Sequence, residues 1–247
     1  MWILKSGFNR CRNFSFMNRG LLGLRNLSVT HNNLVSYLEH LSVQKPSTSN
    51  TVAQGTLFEY LVQYVLKQHS FQLERCGGKG DGGVDLVGQF SIKNVLFEPT
   101  KVVVSCKSNK GSIGPRFVRE LEGSLSSYPT DTLGILACLG SFTSSSLKTL
   151  SISNRPLALC RIYVDGFHSY MFQFVWNHQA LAIFPDLSVR QIYKLPSPTA
   201  NIVPLSQEFS QVNYVSLFEL LQPLSRTEER PVPLVLVYKN QKISLNC

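Results

Sequence analysis

The feature that most constrains the fold is a glycine-rich stretch, residues 77–83, in which five of seven residues are glycine. Each glycine in a helix interior costs about 1 kcal/mol relative to alanine, so a helix across this stretch is untenable. Strand-like segments flank it at residues 71–76 and 84–90. The pattern predicts two short strands joined by a turn whose missing side chains leave space for a substrate backbone.

The chain on either side of this turn alternates between helix-like and strand-like segments. Apolar residues at helical spacing predict helices at residues 31–41, 54–68, 113–126 and 144–150. Short apolar runs, several of them rich in β-branched residues, predict further strands at residues 101–107, 132–139 and 157–164. Strands separated by helices favour an α/β fold with a mixed central β-sheet flanked by helices.

This pattern divides the chain into four parts. Residues 1–30 read as a presequence, residues 31–50 as a helix and linker, and residues 51–166 as the folded core. Residues 167–247 are less regular and predict an irregular C-terminal extension of unknown role. Within it, residues 170–176 are rich in aromatic residues. We expect a helix at 213–221 and a strand at 233–238.

Positive charge is concentrated at the amino end. The formal net charge is +9, and the first 30 residues contain no acid but five of the basic residues: Lys5, Arg10, Arg12, Arg19 and Arg25. Basic, serine-containing sequence interspersed with apolar residues is typical of a mitochondrial transit peptide and predicts the matrix, with a disordered basic tail as the alternative. The rest of the chain carries only +4, which gives little support for a polyanionic partner.

Spacing argues against several other functional classes. The longest apolar runs, such as residues 133–139, are far shorter than the ~20 residues that span a bilayer, so no membrane partner is expected. The six cysteines and five histidines show no spacing typical of a metal site, disulfide scaffold or catalytic triad. Residues 78–83 contain G-x-G-x-x-G, but the glycines lead into a strand rather than a helix, which argues against a dinucleotide site.

Asp85 and Lys107 are polar residues attached to segments that otherwise read as buried strands. Because side chains alternate along a strand, Val103, Ser105 and Lys107 share one face. If the two strands are neighbours, the Asp85 carboxylate and the Lys107 ammonium can meet at one edge of the sheet. A lysine in an apolar strand is costly to bury without a partner or an open cleft. Spacing alone leaves a structural ion pair as open as a catalytic role.

Five ordered motifs carry a family resemblance: G-D-G-G-V-D-L at 80–86, V-V-V-x-C-K at 102–107, I-G-x-x-x-V-R-E-L-x-G at 113–123, S-F-T-S-S-S-L at 141–147 and I-Y-V-D-G at 162–166. In this order they resemble the Mrr-type branch of the PD-(D/E)xK nuclease superfamily. With the presequence and the C-terminal extension, the whole chain resembles the fungal mitochondrial family called required for respiratory growth protein 7. The resemblance implies a restriction endonuclease-like core.

The resemblance also implies a catalytic site. An acid at the position of Asp85 binds Mg²⁺ (or Mn²⁺), Glu59 on the preceding helix assists it, and Lys107 serves the chemistry. Oxygen ligands suit such a hard cation. The metal would polarise the scissile phosphate and activate a water, while Lys107 orients that water or offsets the developing negative charge.

Two positions depart from this pattern or have another explanation. Ser105 stands where the family has Glu or Gln, and a neutral hydroxyl is a weak metal ligand. Metal affinity should therefore fall unless water, Glu59 or a displaced carboxylate such as Glu120 or Glu122 compensates. Glu59 has an alternative role, because Thr56-Leu57-Phe58-Glu59 fits a helix capping box in which Glu59 only satisfies a backbone N–H.

A run of basic residues without an intervening acid follows the second predicted strand: Lys101, Lys107, Lys110, Arg116 and Arg119. Such a run suits phosphate contacts, which position a nucleic acid without reading its sequence. An ordinary solvated helix face is the alternative.

These observations lead to two hypotheses of function. The first is a Mg²⁺-dependent endonuclease or repair-type nuclease that acts on mitochondrial DNA and supports respiration. The second is a nuclease fold that has lost turnover and acts as a DNA-binding or scaffolding protein, which Ser105 favours. The sequence leaves the oligomeric state open.

Overall fold

A computed structural model describes residues 31–44, 50–76, 82–92, 98–165, 168–192, 221–225 and 231–243. The presequence lies outside the described residues, as does the helix expected at 213–221 except for its last residue, Leu221. No helix in the described part of the chain is long and apolar enough to cross a membrane.

The described elements follow the order expected from the sequence. The helices are α1 (Leu34–Gln44), α2 (Thr51–Lys67), α3 (Pro115–Ser124), which continues as a 3-10 turn at Leu125–Ser127, α4 (Ser144–Ile152) and α5 (His178–Ile183). The strands are β1 (Phe71–Arg75), β2 (Leu86–Phe90), β3 (Thr100–Lys107), β4 (Leu133–Cys138), β5 (Leu157–Asp165), β6 (His168–Trp176), β7 (Leu187–Gln191), β8 (Leu234–Tyr238) and β9 (Gln241–Lys242). Each predicted element within the described residues is present, with ends shifted by a few residues.

Strands β1 to β6 form one six-stranded mixed sheet in sequence order. The pairs β1–β2, β2–β3 and β5–β6 are antiparallel, and β3–β4 and β4–β5 are parallel. Each parallel pair is joined by a helix, α3 or α4, as parallel crossovers require. The predicted mixed central sheet flanked by helices is confirmed.

The two faces of the sheet pack against different helices. On one face, Val102 and Val104 of β3 join a large core that includes the buried residues of α1 and α2, and Cys106 packs against that core. On the other face, Val103 joins a smaller core with Val118 of α3 and Leu150 of α4. This alternation along β3 is what a strand buried on both sides requires.

The C-terminal part contains more regular structure than the sequence indicates. Strand β6, which begins two residues beyond Gly166, pairs with β5 along its length and extends the central sheet. Strands β7, β8 and β9 form a second, antiparallel sheet of three strands. Apolar residues of β7 and β8 belong to the same core as α2, so the described part of this extension is packed onto the fold.

Asn177 is a buried hub between β5, β6 and α5. Its Oδ1 accepts hydrogen bonds from the backbone N–H groups of Leu157 and Ala180, both at 3.1 Å. Its Nδ2 donates to the backbone oxygens of Ser153 and Arg155, at 3.2 and 2.7 Å. We expect Asn177→Ala to lower the free energy of unfolding by about 3 kcal/mol, because buried backbone groups lose their partners. Urea denaturation measures this loss.

The matched control is Asn33→Ala at the exposed start of α1. The Asn33 Oδ1 accepts from the Ser36 N–H at 2.9 Å, and loss of such an exposed cap costs about 1 kcal/mol. Equal losses in the two variants would contradict the role assigned to Asn177.

His69, in the turn between α2 and β1, is a second buried polar residue. Burial and the charge of Lys242 lower its pKa to about 4, and its Nδ1 has no hydrogen-bond partner in the described parts of the chain. The unfolded chain therefore binds a proton between about pH 6.5 and pH 4 that the folded chain excludes. This difference favours unfolding as the pH falls through that window.

We therefore expect protonation of His69 in the unfolded chain to lower the free energy of unfolding by about 3 kcal/mol between pH 7 and pH 4. The measurement is urea denaturation across this pH range for the wild type and for His69→Gln. The variant should lose stability less steeply with acid. Parallel curves for the two proteins would show that His69 is not the group responsible.

Candidate functional site

The glycine turn delivers Asp85 to the edge of the sheet where β3 ends. Gly82 and Gly83 both adopt positive φ angles, 68° and 82°, which non-glycine residues rarely tolerate. The Ser124 hydroxyl of α3 donates to the Gly82 carbonyl at 2.6 Å and fixes the turn against that helix. The direction of the chain into β2 is therefore set by local backbone geometry.

Asp85 is bound to the backbone of β3. Its N–H donates to the Val104 carbonyl at 2.9 Å, and its Oδ2 accepts the N–H of Cys106 at 2.6 Å. A hydrogen bond to a charged acceptor contributes about 1.5–3 kcal/mol. Strands β2 and β3 are neighbours in the sheet, which is the condition on which Asp85 and Lys107 could meet. The Asp85 carboxylate binds the backbone of β3 at Cys106, the residue before Lys107.

Glu59 is held by an arginine that the sequence analysis did not single out. Its carboxylate accepts a hydrogen bond from Nε of Arg75, the last residue of β1, in an ion pair whose side chains are 14% and 23% exposed. Arg75 also approaches the Thr56 hydroxyl at 3.4 Å and the Tyr60 ring at 5.7 Å. Three residues of α2 thus surround one guanidinium.

The capping-box alternative for Glu59 is wrong. Helix α2 begins at Thr51, and the side chain of Asn50 caps it by accepting the N–H groups of Val52 and Ala53. Thr56 therefore lies in the helix interior rather than at its start. The sequence placed the start too late because residues 51–53 add little to the apolar periodicity on which the prediction rested.

Glu59 and Asp85 lie in the same neighbourhood, around Cys106. The pKa of the Cys106 thiol is raised well above its usual value, first by burial and then by the charges of Asp85 and Glu59. Two carboxylates whose charges act on one partly buried thiol lie in the same part of the protein. The structure therefore brings these two predicted site residues together.

Ser105 and Lys107 belong to the opposite face of β3 from Cys106. Ser105 is buried, with 3% of its surface exposed, and the Lys107 Nζ lies 5.5 Å from the ring centroid of Phe117 on α3. Glu59, on α2, approaches the sheet from the face to which Cys106 belongs. The charge of Lys107 nevertheless acts on the Cys106 thiol, as the charges of Asp85 and Glu59 do.

Most of the residues considered for holding a divalent cation have other contacts in the structure. No three acidic, histidine or cysteine side chains in the described ranges are placed to hold a metal ion. The negative charge of Glu59 is balanced by Arg75, and Ser105 is neutral and buried. The carboxylates considered as replacements have other contacts: Glu120 pairs with Arg116, and Glu122 accepts from the Ser153 hydroxyl.

Three of the basic residues proposed for phosphate contact lie beyond the carboxyl end of β3. Arg116 and Arg119 are exposed on α3, and Lys110, in the preceding loop, donates to the Ser225 carbonyl at 2.7 Å. The Arg116 guanidinium lies 4.8 Å from the Phe117 centroid, on the same ring that Lys107 approaches. Lys107 Nζ and the Arg116 Cζ are thus at most about 10 Å apart, both within cation–π range of one ring.

Lys101 is separated from this group. It lies near the start of β3, six residues before Lys107, and a strand of that length spans about 20 Å. Its Nζ lies 4.9 Å from the ring centroid of Tyr128. The basic run in the sequence is therefore divided between two places in the structure, because the residues between Lys101 and Lys107 form an extended strand.

Arg75 and Phe117 are the functional candidates that sequence reasoning missed. One residue, Cys76, separates Arg75 from the glycine stretch. The partner of Arg75 is Glu59, which lies 16 positions away in the sequence, on α2. Phe117 reads in the sequence as one more apolar residue of α3. Its ring lies near Lys107, at the end of β3, because of the way α3 packs against the sheet.

Comparison with known proteins places the chain in a family. Its sequence matches the family model for Required for respiratory growth protein 7 at residues 50–97 and 91–193. Relatives of that name, each described as mitochondrial, include a Vanderwaltozyma polyspora protein that is 29% identical over 140 residues, or 53% of this chain and 55% of the relative. The Saccharomyces cerevisiae protein is 26% identical over 159 residues, or 46% of this chain and 66% of the relative.

The matched regions cover less than two thirds of the length of these relatives. Among solved structures, the MspJI restriction endonuclease in complex with a 27-mer oligonucleotide matches with a TM-score of 0.31 and 20% identity, over 52% of this chain and 28% of the enzyme. That TM-score is too low to carry a conclusion about the fold or the site. The family model matches more than half of the chain, and the chain therefore belongs to the Required for respiratory growth protein 7 family.

Proposed function

We propose that this chain acts in the mitochondrial matrix as a nucleic-acid-binding protein that contacts mitochondrial DNA and supports respiratory growth. The names of its relatives support the mitochondrial location and the link to respiration. The basic, acid-free first 30 residues support import into the matrix. The proposal that DNA is the partner rests on the basic residues at the edge of the sheet.

The observation that carries the proposal is the cationic group around Phe117. Lys107, from β3, and Arg116, from α3, both approach this half-buried ring, and Arg119 lies one helical turn from Arg116 on the exposed side of α3. Converging cations suit a phosphodiester backbone, since phosphates take the charges. We call Lys107, Arg116, Phe117 and Arg119 the α3 basic surface.

The ion pair between Arg116 and Glu120 does not oppose this role. Their side chains are 73% and 50% exposed, and such surface pairs contribute about 0–1 kcal/mol. Phosphate can replace Glu120 as the partner of Arg116 at little cost. The pair keeps Arg116 extended along α3 in the absence of a ligand.

Binding without cleavage is the better-supported form of this function. Hydrolysis by the expected mechanism needs a divalent ion held by carboxylates. Here Glu59 is balanced by Arg75, and the third position carries the neutral Ser105. The α3 basic surface does not depend on that carboxylate site, so binding can persist where turnover is lost.

We expect the double substitution Arg116→Gln/Arg119→Gln to raise the dissociation constant for duplex DNA roughly ten-fold at about 50 mM salt. The affinity should also depend less steeply on salt concentration, by the amount that corresponds to about two phosphate contacts. Each cation that is removed means that one counterion fewer is released from the DNA on binding. Fluorescence anisotropy over a salt series measures both quantities.

The matched control for binding is Lys101→Gln. It removes one charge from the distant end of β3 and should leave the affinity within about two-fold of the wild type. If Lys101→Gln weakens binding as much as the double variant, DNA contacts a different surface. Binding that does not respond to salt would contradict a phosphate-based contact altogether.

The alternative function, Mg²⁺-dependent cleavage of DNA, is favoured by one observation. The Asp85 carboxylate lies on the backbone of β3 beside Lys107, which is the arrangement that the sequence motif predicts. We expect no nicking of supercoiled plasmid in about 10 mM Mg²⁺ or about 1 mM Mn²⁺, together with unchanged DNA binding in the presence of a chelator. Gel electrophoresis of plasmid incubated with the full chain measures the nicked fraction.

Asp85→Ala separates this activity from a contaminating nuclease. Nicking by the wild type that Asp85→Ala abolishes would establish the endonuclease and overturn binding without cleavage. Nicking that persists in Asp85→Ala comes from another protein in the preparation, since this aspartate is required in the motif-based mechanism.

A further inference from the structure

The environment of Glu59 and Asp85 contains its own cation. Arg75 donates through Nε to the Glu59 carboxylate, and its Nη2 approaches the Thr56 hydroxyl. Tyr60, on the same helix, places its ring 5.7 Å from the guanidinium carbon. A guanidinium held from several directions is oriented in advance, so little side-chain entropy remains to be lost when it pairs with a carboxylate.

The charge of Arg75 is maintained despite its partial burial. Burial by itself would lower the pKa of Arg75, but the Glu59 carboxylate and the nearby Tyr60 and Tyr37 hydroxyls act in the other direction, and the pKa is raised. Arg75 therefore remains charged across the physiological pH range. Loss of either partner leaves the other charge uncompensated in a poorly solvated place, at a cost of about 3–5 kcal/mol when such a pair is fully buried.

The formal charges at this sheet edge sum to zero without a metal ion. Glu59 and Asp85 supply two negative charges, and Arg75 and Lys107 supply two positive charges. A divalent ion added to these four groups would leave an excess of two positive charges. In the form of the motif that has Glu at position 105, a divalent ion and the lysine balance three carboxylates.

We propose that the Arg75 side chain takes the charge-balancing place of a divalent metal ion, so that the Glu59–Asp85 site is metal-independent in the native protein. Relative to the form of the motif with Glu at position 105, Ser105 leaves one negative charge fewer, and Arg75 supplies one positive charge beside Glu59. Together these two charges equal the charge of a divalent ion. The inference concerns only this carboxylate site and does not rest on nucleic-acid binding.

The experiment measures Mn²⁺ binding to the full chain in the absence of nucleic acid, by electron paramagnetic resonance and isothermal titration calorimetry. We expect the wild type to show no saturable site below about 1 mM Mn²⁺, and Glu59→Gln to leave the titration unchanged. Arg75→Gln should create a site that binds Mn²⁺ at least about ten-fold more tightly, because it removes the competing cation and exposes the charge of Glu59.

Two further variants identify the cause. Arg75→Lys keeps the positive charge and should not gain the site, and Arg75→Gln/Glu59→Gln should lose the gain. Circular dichroism at each step confirms that the variants are folded. Saturable Mn²⁺ binding by the wild type that Glu59→Gln removes would overturn the inference, even if Arg75→Gln does not fold. A folded Arg75→Gln without any gain would overturn it equally.

Discussion

The pairing of β2 with β3 behind the glycine turn is the constraint on which the candidate site depends. Two consecutive glycines with positive φ angles turn the chain, and the Asp85 Oδ2 then accepts the N–H of Cys106. This hydrogen bond joins a side chain at the start of one strand to the backbone near the end of the next. It therefore sets the position of Asp85 relative to every group that β3 carries, and a displaced turn would displace the site.

The two faces of the sheet divide the chemistry at this edge. The α2 face carries Glu59, with Arg75 and the partly buried Cys106, and it is close to neutral because its carboxylate and guanidinium are paired. The α3 face carries Lys107 and the aromatic ring of Phe117, with Arg116 beside it. A nuclease of the expected type needs both sets to act on one phosphate. Here the anionic set is internally balanced, whereas the cationic set faces the helix that carries further basic residues.

The sequence was sufficient for the elements and for the face of β3 to which Lys107 belongs, because these follow from local patterns. Glycine content excludes a helix at the turn, β-branched residues mark β3, and alternation assigns Lys107 to the face of Val103. The ion pair between Glu59 and Arg75 could not be derived in this way. It joins two elements through the packing of α2 on β1, and neither residue has a neighbour in sequence that indicates the other.

The same reasoning explains why Lys101 was grouped with residues far from it. A run of basic residues predicts a shared surface only when the chain between them is compact, as it is for Arg116 and Arg119 on one helix. Strand β3 instead separates Lys101 from Lys107 by about 20 Å. Charge runs that cross a strand should therefore be divided at its ends before a binding surface is inferred.

The charged residues at this sheet edge have structural roles that do not depend on any reaction. Asp85 stabilises the β2–β3 junction through its hydrogen bond to Cys106, and the ion pair between Glu59 and Arg75 ties α2 to β1. Replacing one member of either contact would leave a buried donor or charge without its partner, which destabilises the fold independently of any reaction. Ser105 takes part in neither of these two contacts. A serine at position 105 is therefore compatible with the fold, whereas Asp85 and Glu59 each make a contact that stabilises it.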